Sequence, residues 1–165
     1  GVHVKAENDE TMARRSQQSF ANFYASELGS QVRRAHLLLG SNSAANDVVH
    51  DSFVEVYKRW GDIREPGPYL QRTVTNRCRA IHRRQGLFSL NAHRIISDEL
   101  TPVAAVDESL VDVLAALPFN HRAAIVLRFY FGLTTAQIAA ELDCAPGSVG
   151  PWIKRGLKKM RKELT

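Results

Sequence analysis

Apolar residues recur at spacings of three and four along most of the chain, the period of a helix with one buried face. Phe20, Tyr24, Leu28, Val32, Ala35 and Leu39 carry it through residues 17–39, and Gly40-Ser41-Asn42-Ser43 ends it. A second amphipathic helix is predicted at about 44–60, with Val49, Phe53, Val56 and Trp60 as its stripe. Gly61 to Gly67 break the pattern. Pro68 then stands where a first helical turn tolerates proline, and opens a third helix at 68–85 with Leu70, Val74, Cys78 and Ile81 inward. The order is lost at Gly86, and Asn91, Ser97 and Pro102 mark residues 86–107 as a linker holding at most a short helical turn. Helices resume at 108–116, 119–131, 134–142 and 148–164.

These elements predict an all-α protein: two small helical domains joined by a flexible linker, the C-terminal one with a helix-turn-helix. The domains fall at 17–85 and 108–165, and residues 1–16 read as a disordered, polar N-terminal tail. No strand alternation, internal repeat or coiled-coil heptad competes with this reading. The helix-turn-helix lies near the end of the chain. Thr134 and Gln137 have capping-box spacing, Ile138, Ala139 and Leu142 face inward, and Asp143-Cys144-Ala145-Pro146-Gly147 form a turn. Ser148 can cap the last helix, whose expected inward stripe is Val149, Ile153, Leu157, Met160 and Leu164.

Composition changes this picture little. The chain has 165 residues, 44% hydrophobic and 24% charged, too apolar for a disordered chain. No run approaches the roughly 18 apolar residues of a membrane span, and two cysteines make no disulfide framework. A cytoplasmic protein without a membrane partner is expected. The six histidines lack metal-ligand spacing, and neither a Gly-rich phosphate loop nor a nucleophile elbow is present, so no metal, cofactor or catalytic residue is assigned and the protein reads as a non-enzyme.

The placement of charge is more informative. Residues 72–84 and 152–165 each carry a net +5, while the remainder of the chain nets −5. In the last helix the excess comes from Lys154, Arg155, Lys158, Lys159, Arg161 and Lys162, suited to phosphate contacts by a helix lying in a major groove. In the third helix Arg72, Asn76, Arg79 and Arg83 share one face. Its arginines can hold phosphates, and its amide can pair with a base edge. Trp60 and Tyr69 are aromatics suited to stacking on unpaired bases, with a core role the stronger rival for Trp60. A third stripe, Asp47, Asp51 and Glu55, is acidic and fits a basic protein surface, or simply solvent.

The ordered set resembles the extracytoplasmic-function (ECF) sigma factors, promoter-specificity subunits of bacterial RNA polymerase. "AANDVVHDSFVEVYKRW" (44–60) is similar to the family's core-binding helix and "PGPYLQRTVTNRCRAIHRRQ" (66–85) to its minus-ten reader. Residues 114–164 are similar to its minus-thirty-five domain. The resemblance implies sigma region 2 at 17–85, region 4 at 108–165 and no catalytic activity. The implied partners are core RNA polymerase, through the largest-subunit clamp coiled coil and the beta flap, together with promoter DNA and an anti-sigma factor. It implies Asp47, Val48, Asp51, Phe53 and Tyr57 for polymerase binding. It implies Arg72, Asn76, Arg79 and Arg83, with Trp60 and Tyr69, for the minus-ten strand, and Ser148, Trp152, Lys154, Arg155, Lys158 and Lys159 for the upstream element. The linker would thread toward the polymerase active site and RNA exit channel.

Three places depart from the family pattern. His50 stands where glutamine is usual, and Ala80 where aspartate or asparagine is frequent. Gly150-Pro151-Trp152 replaces the usual Lys, Ser and Arg of the recognition helix, shifting the expected base readout to Trp152, Lys154 and Arg155. A stand-alone helix-turn-helix regulator is the alternative function, although it gives no role to the acidic stripe or to the arginine face at 72–83.

Overall fold

The computed structural model describes residues 2–85 and 107–164, with side chains from residue 16 onward apart from those of 18 and 42. Residues 86–106, including the expected helical turn and most of the linker, lie outside this. Among the described residues there are seven helices: α1 (Val2–Leu39), α2 (Asn42–Lys58), α3 (Pro66–Gln85), α4 (Glu108–Ala115), α5 (Phe119–Phe129), α6 (Thr135–Leu142) and α7 (Pro146–Leu164).

Residues 2–16 are not the expected tail; their backbone continues α1. Most of this stretch is made of residues with good helix propensity and it contains no proline. Extending a helix already nucleated by packing costs far less than starting one. Gly40 ends α1 at φ 74°, in the left-handed region open to glycine, with its N–H bonded to the His36 carbonyl at 2.8 Å. Ser41 at once caps α2, its hydroxyl accepting from the Ala44 N–H. α3 begins two residues earlier than expected, at Pro66, because first-turn N–H groups have no helical acceptor and prolines cost nothing there.

α1, α2 and α3 pack together around Val32, Ala35, Leu38, Val48, Val49, Phe53, Val56, Leu70, Val74 and Cys78. The C-terminal helices enclose Leu114, Phe119, Ile125, Leu127, Ile138, Leu142 and Val149. The two units also pack against each other: α1 touches α4 and α5, and α3 touches α6. Every residue from Gln31 to Leu38 except Arg33 is buried. A helix buried nearly all round is sandwiched, and here α1 lies between its own domain and the C-terminal one.

Candidate nucleic-acid and partner interfaces

The helix-turn-helix forms as its punctuation predicts. The Thr134 hydroxyl accepts from the Gln137 N–H at 3.2 Å, and the Gln137 side-chain oxygen accepts from the Thr134 N–H at 2.9 Å, so both halves of the capping box are made. Asp143 ends α6 at φ 53°, a left-handed geometry that aspartate tolerates better than most residues. α7 starts at Pro146, so Ser148 is its third residue rather than its expected cap, and Pro151 falls in the second turn. There proline removes the N–H that the Gly147 carbonyl would accept and crowds the residue before it. That residue is Gly150, which has no Cβ to clash.

The inward side of α7 also differs. Val149 and Gly156 are buried and Ile153 and Met160 half-buried, whereas Leu157 is exposed and Leu164 is 68% exposed. The seam therefore runs through 149, 153, 156 and 160. Gly156 belongs to it because Ile125 fills the space: a Cβ there would lie 2.4 Å from Ile125 Cδ1. The opposite side carries Lys154, Arg155, Lys158 and Lys159, all exposed. Lys159 also donates to the Ala116 carbonyl at the end of α4, at 2.7 Å.

On α2, Asp47, Asp51 and Tyr57 are exposed as a contact surface requires. Val48 and Phe53 are not: they are 2% and 3% exposed and belong to the core, so the expected direct contact through them is corrected. Phe53 joins an aromatic cluster in which Trp60 lies 5.2 Å from both Phe20 and Phe23. Trp60 is thus committed to packing, against the stacking role considered for it. Tyr69 stays half-exposed, its hydroxyl accepting from Arg59 at 2.8 Å.

The arginine face of α3 is divided between two clefts. Arg72 and Asn76 line a cleft of about 790 Å³ whose other wall is Asp47, Asp51 and Glu55, with Arg77 placed 3.9 Å from Glu55. The acidic stripe and the amide-bearing face, separate in the sequence, therefore share one groove. Arg79 and Arg83 point elsewhere. They line a second cleft, of about 430 Å³, with His82, Phe119, Asp143, Cys144 and Trp152 at the junction of the two domains. Trp152 is half-buried there.

Beside that cleft lies a hub that the sequence pattern does not announce. Arg34 and Glu141, both buried, form an ion pair, and the Thr75 hydroxyl donates to the same carboxylate oxygen at 3.1 Å. Burial pushes the Glu141 carboxyl above its ordinary range and the Arg34 guanidinium below its own, each opposed by the other's charge. Arg122 donates to the carbonyls of Leu38, Leu117 (2.9 Å) and Ala115 (3.2 Å), tying α1 to the α4–α5 turn. The one sequence signal for the hub is a single charge on an apolar stripe, Glu141 three residues after Ile138. Clusters of like residues, which mark the other surfaces, do not mark this one. Cys78 is buried and its thiol pushed well up, an inert core position. No described group of three His, Cys, Asp or Glu could hold a metal, and no described helix is long and apolar enough to cross a membrane.

Comparison with known proteins matches this layout. Residues 23–87 match Sigma-70 region 2 and residues 107–160 match Sigma-70, region 4. The ECF RNA polymerase sigma factor SigL of Mycobacterium tuberculosis is 30% identical over 145 residues, 80% of this chain and 81% of that protein. The chain belongs to the ECF RNA polymerase sigma factors. The RNA polymerase sigma-E factor of Streptomyces avermitilis is 27% identical over 157 residues, 88% of this chain and 84% of its own length. The fold is shared with RpoE of Bartonella quintana, solved with the anti-sigma factor NepR, at a TM-score of 0.70 and 19% identity over 89% of this chain and 97% of that one. CnrH, solved with the cytosolic domain of CnrY, gives 0.66 and 23% over 94% and 96%. This sigma factor is a promoter-recognition subunit, and its two family regions flank the segment 88–106.

Proposed function

We propose that this sigma factor binds core RNA polymerase through the exposed side of α2 and positions promoter DNA on α3 and α7, contributing no catalytic group of its own. Asp47 and Asp51, flanked by exposed Tyr57, form an acidic and partly apolar strip that suits a basic coiled coil such as the polymerase clamp. Arg72, Asn76, Arg79 and Arg83, with Tyr69 at the head of the same helix, serve the minus-ten strand. Lys154, Arg155, Lys158 and Lys159 hold upstream phosphates, and Trp152, at the start of that surface, is the aromatic available for base contact. The observation that carries the reading is a fully made helix-turn-helix whose second helix turns an unbroken basic side to solvent. The setting is the cytoplasm, where polymerase works, and an anti-sigma factor of the kind seen with the structural relatives is the natural antagonist.

Reconstitution with bacterial core polymerase on a promoter library tests this. Promoter-specific transcripts are expected from the wild-type chain. Asp47→Lys with Asp51→Lys is expected to slow association with core polymerase and to change its salt dependence while leaving the fold intact. Tight, specific duplex binding without polymerase, and no transcripts with it, would instead indicate a stand-alone regulator.

A further inference from the structure

The exposed front of α7 opens with residues that disfavour a helix. Gly147, Pro151, Lys154 and Lys158 follow one another at steps of four, three and four, and all are exposed. They stand opposite the packed seam of Val149, Ile153, Gly156 and Met160, which has the same steps. Gly150 borders this front and is exposed as well. Glycine and proline are the two poorest helix formers. Gly156 has a reason in the fold, the Ile125 side chain against it. Gly147 and Gly150 have no such neighbour: a Cβ at either would meet nothing within 4 Å. Neither takes the left-handed backbone that favours glycine. Gly150 accommodates Pro151, but Pro151 itself points to solvent and takes an N–H away from its own helix. Folding gives no account of Gly147 or Pro151.

A surface approaching from outside does. A helix with its side chains is about 10–12 Å across, nearly the width of a major groove at about 12 Å. With no Cβ at 147 and 150, the backbone comes closer to the groove floor, and the Pro151 ring is the first side chain on this front to reach a base edge. The ring offers neither donor nor acceptor. Set against an amino or carbonyl edge, it would strip water from a polar group and return no hydrogen bond. The one apolar group on the major-groove edge is the C5-methyl of thymine.

We propose that Pro151 is a specificity-determining residue for the upstream promoter element, selecting a thymine by contact of its ring with the C5-methyl, with Gly147 and Gly150 as the clearance that brings it there. This deepens the reading of α7 given under Proposed function and rests on it; that reading stands on the helix-turn-helix and the basic residues, not on Gly147 or Pro151. Lys154 and Lys158, further along the same front, hold the phosphates that fix the helix in the groove. Trp152 lies to one side, half-buried in the second cleft, so the central position falls to the proline.

The test uses holoenzyme reconstituted from the full chain and bacterial core polymerase, on a promoter recovered from the library. Each thymine of its upstream element is replaced in turn by deoxyuridine, which removes the methyl group and keeps every hydrogen-bonding group. At one position the affinity is expected to fall about fourfold, the equivalent of one buried methyl group. Pro151→Ser is expected to lose that sensitivity. Serine restores the N–H that the Gly147 carbonyl lacks, so the urea midpoint of this variant is expected to rise. Gly147→Leu has open space for its side chain and is expected to keep its helical circular dichroism while binding every upstream sequence severalfold more weakly. An upstream element without a thymine, or one indifferent to deoxyuridine throughout, overturns the methyl contact. So does a sensitive position that stays sensitive in Pro151→Ser, and a lower urea midpoint in that variant would show that the ring serves the fold instead. Gly147→Leu binding as wild type does overturns the clearance. Lys154→Ala separates this inference from the reading beneath it. A smaller salt slope without any thymine effect removes the methyl contact and leaves α7 on the DNA, whereas an unchanged slope without a thymine effect takes α7 off the DNA and the inference with it.

Discussion

α3 and α7 carry equal excesses of positive charge in the sequence and end up in opposite situations. α3 is seated by full-sized apolar groups, Leu70, Val74 and Cys78, all completely buried, and its polar face is already engaged on both flanks. Arg72 and Asn76 share a cleft with Asp47, Asp51 and Glu55, and Arg79 is bonded across the domain junction. α7 is seated more shallowly, with Val149 and Gly156 buried but Ile153 and Met160 only half-buried, and its Lys154, Arg155 and Lys158 side chains stand in solvent. Charge density alone does not distinguish a surface held in reserve from one already presented. Packing on the neighbouring elements decides it.

The largest expected effects break the two seats. Leu70→Ala removes a wholly buried side chain from α3 and is expected to cost about 2–5 kcal/mol in urea unfolding. Gly156→Val attacks α7 from the other direction. Its Cβ would lie 2.4 Å from Ile125 Cδ1, in a site where Ile125 is itself buried, and the overpacking is expected to cost about 1–3 kcal/mol. If Gly156→Val proves as stable as wild type, α7 is looser on α5 than the close approach implies.

Replacing Lys154, Arg155, Lys158 and Lys159 together by alanine sharpens the difference in presentation. For every phosphate that such a side chain neutralises, its removal lowers the salt slope of promoter binding by about 0.9. Lys159 already bonds the Ala116 carbonyl, so it is expected to contribute least of the four. An unchanged slope across all four would make the α7 face a merely solvated one. On α3, Asn76→Ala is expected to act differently. The exposed amide can read a base edge where arginines read phosphates, so transcription from a minus-ten library should lose base preference at one position while polymerase binding persists. Discrimination of about 1–3 kcal/mol is at stake for one good pair. A library profile identical to wild type would assign Asn76 to the shared groove with Asp47 and Asp51 rather than to DNA.

How far the structure is legible in the sequence depends on whether each cause is local. The capping box at Thr134 and Gln137, the stop at Gly40 and the stripe through Leu70, Val74 and Cys78 are decided within a few residues, and each forms as the pattern requires. The acidic residues Asp47 and Asp51 and the outer face of α7 are exposed, as their spacing predicts. Val48 and Phe53 are buried against expectation because likeness to a functional helix does not separate its contact side from its packed side, and periodicity alone puts Phe53 inward. Leu157 and Leu164 are exposed against expectation because a stripe of large apolar residues hides a glycine serving the same seam. The Arg34–Glu141 pair joins positions 107 residues apart, on helices whose docking no local rule encodes. The helical course of residues 2–16 is hidden for another reason: polar composition without an apolar stripe reads as tail even where the backbone continues a nucleated helix.

The smallest expected effect is a pH dependence at the junction. Burial lowers the affinity of His36 for a proton, with Glu108 opposing; it lowers that of His82, with Arg122 adding to the effect; and it lowers that of His121, with Arg155 and Lys159 adding. All three histidines therefore bind protons less readily in the folded chain than in the unfolded one, whose value is near 6.5. Their contribution is complete above that value and is lost as pH falls through the lowered folded values. Glu141 works the other way. Burial raises its carboxyl above 4.5, so its contribution is complete in acid and shrinks as pH rises through the raised value, which offsets part of the histidine loss. Histidine loss is expected to show first on acidification, because its window opens at the higher pH. The check is urea unfolding at about pH 7.5 and about pH 5.5, where neutral histidine becomes costly to keep. The wild-type midpoint should fall between the two, and in His82→Asn, which removes one titrating group that packs against the Phe119 ring and feels the Arg122 charge, the fall should be smaller. Equal falls in the two proteins would show that His82 gains its proton without disturbing the contact between α3 and α5. The junction would then respond to its buried ion pair and not to the histidines around it.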